Sequence, residues 1–395
     1  MTNRYQLILS LLLLTVYAEA KNNQIIQPEI RLRYEALADP FFFSKKFNTS
    51  FITFRTGLKV ELPVTSNVII HVDPQYSNLW AMEPVQTSNE QISLFEGWAE
   101  WISNYVRVKL GRQELSLGKE RLIGRSDWGQ LPRSFDALRM DYFYNFTHIS
   151  FWAAKVNTLS GGISSLGDNH DFYGTQCVFH PEWLNDFEIY ILRNQNQKLL
   201  RPIRITTTGA RLFYSNPNLN FEFEGAYQAG QLNNIERDDY FLNFAIGHTF
   251  SKFERLDTSI EYSVASKNFN SLFASAHNFL GDADFFGRRN IQDVIFHSQL
   301  FWAEVWQAKI DFHNFLKVNN NSPIYQTNSN TALLSSDAKG SADVGREIDF
   351  QLSRNLSLFS ISFGLGYFKP GDLFLNSLPK VKDSTFVWVE LSNSF

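Results

Sequence analysis

The sequence predicts an all-β fold: a transmembrane, antiparallel up-and-down β-barrel of about 18 strands. Three observations predict it. Apolar and polar residues alternate with a period of two in segment after segment, while helical periodicity is nearly absent. The connections between those segments alternate short and long. The composition holds 37 Phe, 15 Tyr and 9 Trp yet a mildly negative mean hydropathy, which suits strands with one lipid face and one wet face. In hydrocarbon every backbone N–H and C=O must be paired, so an open sheet edge is intolerable and the sheet must close. At roughly 16–18 strands closure leaves an aqueous lumen in which inward charges stay hydrated. A secreted all-β carbohydrate protein is the competing class, but its sandwich core would bury the same charges at high cost.

The first residues are expected to lie outside the barrel. Arg4 supplies a positive start, Leu7 to Val16 an apolar stretch, and Ala18-Glu19-Ala20 a small-x-small cleavage site. Residues 1–20 therefore read as a secretory signal peptide, and residues 21–395 as one barrel domain. The apolar stretch is too short to span a bilayer as a helix. The single cysteine, Cys177, excludes an intramolecular disulfide framework. A net charge of −4 excludes a globally basic nucleic-acid binder.

The alternation is clear in the first strands. Residues 29–36 put Ile30, Leu32 and Tyr34 outward and Arg31, Arg33 and Glu35 inward; residues 51–62 put Phe54, Leu58 and Val60 outward and Arg55, Lys59 and Glu61 inward. Segments 67–73, 95–102, 105–111 and 134–143 follow. In 105–111 Val106, Val108 and Leu110 oppose Arg107 and Lys109, and in 134–143 Leu138, Met140 and Tyr142 oppose Arg139 and Asp141. Between these two runs lies a Gly- and Arg-rich loop carrying Arg112, Arg121, Arg125, Asp127 and Arg133, long enough to fold inward as a constriction.

The middle is less regular, with strands expected at 147–156, 171–179, 186–192 and 202–214. Alternation sharpens again at 219–229, with Phe221, Phe223 and Tyr227 outward and Glu222 and Glu224 inward. Segments 238–250, 255–265, 290–301, 305–316, 344–353, 356–369 and 384–395 complete the set. Long loops are expected at 37–50, 74–94, 112–133, 157–170, 193–201, 230–237, 266–289, 317–343 and 370–383, with short turns between them. Short turns would be periplasmic and long loops extracellular. The last strand runs by twos through Val387, Val389 and Leu391 to Phe395, and Asn393 departs from that pattern.

Several stretches resemble the alginate export family of outer-membrane barrels. They are Leu110-Gly111-Arg112-Gln113-Glu114-Leu115-Ser116-Leu117-Gly118, Arg121-Leu122-Ile123-Gly124, Asp127-Trp128, Arg133-Ser134-Phe135-Asp136, Phe223-Glu224-Gly225-Ala226-Tyr227-Gln228, Phe279-Leu280-Gly281-Asp282-Ala283-Asp284-Phe285-Phe286-Gly287, Asn290-Ile291-Gln292-Asp293 and Gly366-Tyr367-Phe368-Lys369-Pro370-Gly371-Asp372. Asp282 and Lys369 stand where aromatics are usual in that family. The resemblance implies an 18-stranded barrel that passes a polysaccharide or other solute across the outer membrane. In alginate-secreting members an arginine-rich constriction selects an anionic polyuronate. The Phe395 strand resembles the signal read by the outer-membrane assembly machinery. Outer-membrane lipid and lipopolysaccharide are the implied surroundings.

Arginine suits that selection because it meets carboxylates bidentately and stays charged. Candidate pore-lining cations are Arg31, Arg33, Arg55, Lys59, Arg107, Lys109, Arg112, Arg121, Arg125, Arg133 and Arg139. Inward charges of the later strands are mostly acidic, Glu222 and Glu224 first among them. A basic wall facing an acidic one gives a transverse field, as in a general small-solute porin, unless loop arginines such as Arg288, Arg289 or Arg346 tie up the acids. A surface barrel plugged by its own loops is the third reading. Trp98 and Trp128 are candidates to stack on a sugar ring. Asp282 and Asp284, with His277, form a weak hard-cation candidate. His248, His297 and His313 stand on different strands without a nucleophile signature, so no enzyme is expected, and no cofactor is implied.

Overall fold

A computed structural model describes residues 25–39, 49–83, 88–157, 171–196, 202–232, 234–251, 254–327, 332–334, 340–378 and 380–393. The expected signal peptide and Phe395 lie outside the described residues. Among them run eighteen strands: β1 (Ile25–Ala38), β2 (Thr49–Thr65), β3 (Val68–Glu83), β4 (Ser88–Ile102), β5 (Val106–Gln113), β6 (Ser134–Tyr144), β7 (Thr147–Asn157), β8 (Asp171–Phe179), β9 (Asp186–Asn196), β10 (Ile203–Ser215), β11 (Leu219–Leu232), β12 (Ile235–Phe250), β13 (Arg255–Ala265), β14 (Ile291–Trp302), β15 (Trp306–Lys317), β16 (Asp343–Asn355), β17 (Ser360–Pro370) and β18 (Ser384–Asn393). A short α-helix, α1 (Asp372–Leu375), sits between the last two strands, and a single 3-10 turn (Ala276–Asn278) lies in the loop after β13.

Each strand pairs antiparallel with its neighbours in sequence, and β1 pairs with β18 to close an 18-stranded sheet. Closure leaves no unpaired edge, as hydrocarbon demands. At the seam the Ile30 N–H donates to the Asn393 side-chain carbonyl at 2.5 Å. That bond gives a reason for the polar residue at a position where the strand pattern called for an apolar one.

Alternation fixes which side chains see lipid. On β1 Leu32 is 41% exposed while Arg33 beside it is 2% exposed. The same division runs through β11, where Phe223 and Tyr227 face out and Glu222 and Glu224 are buried. Short turns join the strands on the periplasmic rim, and most long loops lie on the extracellular one. Two expected loops shrink. Strands β3 and β4 run to 83 and from 88, so most of 74–94 is sheet, and β11 and β12 leave only 233–234 of the expected 230–237. Polar stretches such as Pro74 to Asn78 read as loop because an inner wall can be polar on one face without apolar alternation opposite.

The middle strands are apolar on both faces. Phe135, Ala137, Trp152, Ala154, Phe172 and Leu192 point inward and are buried, while Phe151, Tyr173, Ile189 and Ile191 face out. The inward set packs against Leu115, Leu117, Leu122 and Ile123 of the loop after β5, and against Phe269 and Phe273 of the loop after β13. A second apolar cluster joins Phe285, Phe286, Phe315, Phe368 and Phe374 near the extracellular end.

Candidate functional site

The loop 114–133 leaves β5 and crosses the lumen. Its first half is held by the apolar inner face of the middle strands. Gly118 sits at φ +51°, and a Cβ there would lie 2.8 Å from Arg211 Cδ, so the turn needs glycine both for its backbone and for close approach to the wall. Beyond that turn Arg121 reaches the inner face of β11 and β13. Its guanidinium donates to Glu222 at 2.9 Å, Glu224 at 3.5 Å and Glu261 at 3.2 Å, with 1% of the side chain exposed. Burial lowers an arginine's pKa, but the three carboxylates outweigh it and hold Arg121 above its ordinary value. Arg211 and Lys119 complete the neutralisation of Glu222 at 2.7 and 2.6 Å.

The loop then pairs with the neighbouring loop. Ile123 and Phe273 form a parallel bridge, and the Gly124 N–H donates to the Phe273 carbonyl at 2.9 Å. The Arg133 guanidinium clamps the same place, donating to the carbonyls of Gly124, Phe273 and Ala274. Burial pulls its pKa down to about 10.

The tip docks on the opposite wall, made by β1, β2 and β18. Arg31 donates to the Asp127 and Gly129 carbonyls at 2.5 and 2.6 Å, and Arg33 to the Trp128 carbonyl at 2.6 Å. Arg55 meets the Asp127 carboxylate at 2.8 Å. The Trp128 ring lies 3.6 Å from the Arg33 guanidinium and 3.7 Å from the His277 ring, so the two must cover opposite faces. Burial would raise the Asp127 pKa, but Arg55 and Arg125 win and hold it well below the usual carboxylate range. Arg125 lies between these anchors, 3.1 Å from Glu114 and 3.0 Å from Asp127, with 24% of its side chain exposed.

The sequence of residues 59–388 matches the profile described as alginate export. The chain belongs to the alginate export family. It is an outer-membrane β-barrel. No curated protein matched it by sequence. Among solved structures the barrel is similar to OccAB1 of Acinetobacter baumannii, at 12% identity and TM-score 0.66 over 95% of this chain and 99% of that one. It is also similar to OccK5 (OpdH) of Pseudomonas aeruginosa, at 10% identity and TM-score 0.65 over 94% and 98%. OccK8 (OprE) of the same organism gives 11% and 0.65 over 94% and 98%. At such identities these likenesses bear on the fold.

In this alginate export barrel the expected site residues part company. Arg31, Arg33, Arg55, Arg121, Glu222 and Glu224 converge on the lumen-crossing loop, as do Arg125, Asp127 and Arg133 within it. Lys59 shares the inward face of Arg55. Lys109 lies 3.9 Å above Trp98, whose ring also stacks on His71 at 4.7 Å. Arg139 is bound by Asp141 at 2.8 Å, and Arg107 lies over Phe143 near the periplasmic end. Arg112 needs correction. It falls on the outward face of β5 with Leu110 and pairs with Asp136 at 2.8 Å on the outward face of β6. Arg346 is likewise outward, on the face of Ile348. The acids are tied up instead by Arg121, while Arg288 donates to the Arg121 carbonyl at 2.9 Å.

Asp282 and Asp284 are not joined on one site. Asp282 accepts from Gln351 at 2.9 Å and from Trp388 Nε1 at 3.2 Å, and Asp284 bonds His277 at 2.7 Å. The residues that sequence reading missed are the inward apolar ones. The irregular alternation of the middle strands was their signal, since an apolar inner wall demands a cover.

Proposed function

We propose that the chain is a passive outer-membrane channel for polar, anionic saccharides of the alginate or polyuronate kind, passing along the loop-narrowed lumen in export or uptake. Membership of the alginate export family supports the class of cargo. The observation that carries the site is Arg125. It is partly exposed in the lumen-crossing loop, whereas Arg121 is wholly consumed by glutamates. Burial lifts Glu114 to about 7 despite Arg125 beside it, so near neutral pH that carboxyl is about half protonated and only partly cancels the arginine. A uronate carboxylate can then exchange with Glu114 or Asp127 on one guanidinium, bound and released without a buried charge being left alone. Lys59, Lys109 and Arg139 extend the basic side of the path. Export by residues 1–20 and assembly through the Phe395 strand belong to the same proposal.

Planar-bilayer recording tests it. We expect anion preference and block by uronate oligomers at concentrations where neutral oligomers of equal length do not block. Cation preference, or equal block by both, would favour a general small-solute porin. The apolar cluster that joins the loop to the middle strands favours a second reading, a barrel plugged by its own loops. Absence of conductance from refolded protein would select it.

A further inference from the structure

The extracellular mouth of the lumen carries a basic group of its own, built from other elements than the constriction. Alternation along β12 puts Arg237 inward with Asp239 and Phe241, just below the β11–β12 turn at 233–234. Glu236 and Asp238 fall on the outward face, where Tyr227 donates to Asp238 at 2.9 Å. Lys267 and Arg289 stand at the foot of the loop that joins β13 to β14, on the same rim. Arg289 Nε donates to the Lys267 carbonyl at 3.4 Å, which ties the two ends of that loop together. Asp239 links the loop to β12, accepting from the Ser266 hydroxyl at 2.7 Å and the Asn268 N–H at 3.1 Å.

The charges there do not cancel. Three cations, Arg237, Lys267 and Arg289, have one carboxylate among them, Asp239, and it is already engaged by Ser266 and Asn268. Burial lowers the Arg289 pKa, and among the charges around it Arg237 lowers it further while Asp239 raises it, so the two guanidinium groups are near enough to repel. The Arg289 guanidinium lies 3.9 Å from the centre of the Tyr325 ring, which holds it in place. Lys267 is exposed, and Nε and Nη1 of Arg237 are buried with no hydrogen-bond partner among the described residues. A guanidinium N–H without an acceptor is costly, and an anion beside it removes that cost.

Gly230 keeps the wall beside Arg237 bare. It is the β11 partner of Arg237 and sits at φ +144°, where a Cβ would lie 2.0 Å from the Arg204 carbonyl oxygen. No side chain can therefore stand on the inner wall between Arg237 and Ile205, the β10 partner of Gly230. The lumen face excludes a lipid as the occupant and leaves a solute. A saccharide with one carboxylate per sugar can engage several of these cations at once, whereas a neutral one engages none.

We infer that Arg237, Lys267 and Arg289 form an outer subsite that binds successive carboxylates of an anionic saccharide at the extracellular mouth. Its ligand rests on the transport reading, but its residues are separate from Arg125, so the two fail separately.

Side-resolved block of channels inserted in one known orientation tests it. The probes are a uronate trimer, the uronate monomer and a neutral trimer, each added to one face at a time. We expect the uronate trimer to enter faster from the extracellular face, and the excess to fade at 1 M salt, where the Debye length is ~3 Å. Arg237→Gln with Lys267→Gln should lower the extracellular on-rate about fivefold and leave the periplasmic one unchanged. Arg237→Lys should keep the on-rate and shorten the bound time, since it keeps charge but not the planar fork. The monomer should respond less than the trimer. Heat-modifiable gel mobility confirms a folded barrel, and Lys267→Gln alone serves if the double variant does not fold. Equal extracellular on-rates for wild type and variant, or an equal loss for the neutral trimer, overturn the subsite and leave the transport reading standing. Block from neither face overturns the transport reading instead. Calorimetric titration of the full chain in detergent with the same uronate trimer then decides the subsite: weaker binding by the variant supports it, and equal or absent binding overturns it.

Discussion

The two ends of the lumen-crossing loop dock by opposite chemistry. At one end the loop delivers a cation, Arg121, into an acidic wall of Glu222, Glu224 and Glu261. At the other it delivers the Asp127 carboxylate and three backbone carbonyls into a basic wall of Arg31, Arg33 and Arg55. Read strand by strand, those walls face each other with a transverse field between them. The loop carries the complementary polarity and cancels much of that field. A charge on a pore wall therefore need not act on a permeant solute. Arg121 and Arg33 act on the fold, and the proposed contact with a solute falls to Arg125, which stands between the two docks with Glu114 and Asp127 as its partners.

The acidic dock should be the stronger, because removing one partner strands buried charges. Changing Arg121→Met leaves Glu222, Glu224 and Glu261 facing one another and is expected to cost ~3–5 kcal/mol. The loop should leave the lumen, seen in bilayers as a larger and noisier conductance. Wild-type conductance in this variant would show that Arg121 does not hold the loop across the lumen. Glu224→Gln with Glu261→Gln in the same background should recover part of the loss, since fewer charges are then uncompensated.

The basic dock depends more on contact than on charge. Trp128→Ala loses the stack between Arg33 and His277 and the edge contact with Trp388, about 2 kcal/mol in total. Faster hydrogen exchange in 124–130 than in 115–122 would check it, and uniform exchange across the loop would count against independent docks. Between the docks, Arg125→Gln should shift the anion-to-cation permeability ratio toward cations by about twofold, while Arg31, Arg33 and Arg55 still hold Asp127 and Trp128. Arg133→Glu should instead loosen the loop, because that guanidinium holds backbone carbonyls and not a solute.

The smallest expected effect is that of acid. The Asp127 pKa is depressed in the folded state, so its contribution to docking is complete above its ordinary value near 3.8 and is lost as the pH falls below that value toward the folded one. Conductance noise should therefore grow on the acid side of about pH 4, and Asp127→Asn should show that noise at neutral pH.

Much of the barrel was legible in the sequence because strand alternation is local. Leu32 beside Arg33 and Phe223 beside Glu224 declare their faces within two residues. Where alternation failed, at Trp152, Phe172 and Leu192, the cause lay elsewhere in the chain. These inward apolar residues are covered by Leu115, Leu122 and Phe273, so the strands need no wet face. Arg112 was misplaced for a related reason. It continues the outward face of Leu110 past the point where that face is apolar, and Asp136 across the strand makes a charge acceptable there.

A closed sheet of about 18 strands, most of its inner and outer faces and a long arginine-bearing loop after β5 are written in local sequence. Those follow from a period of two and from the need of every backbone group in lipid for a partner. Only the tertiary structure decided which arginines are spent. The partners of Arg121 lie 101 to 140 residues away, and those of Asp127, Trp128 and Gly129 in β1 and β2 lie 72 to 98 residues back. No local pattern records a pairing at that distance. It is set when the sheet closes and brings its first strands and its later ones to opposite sides of one loop.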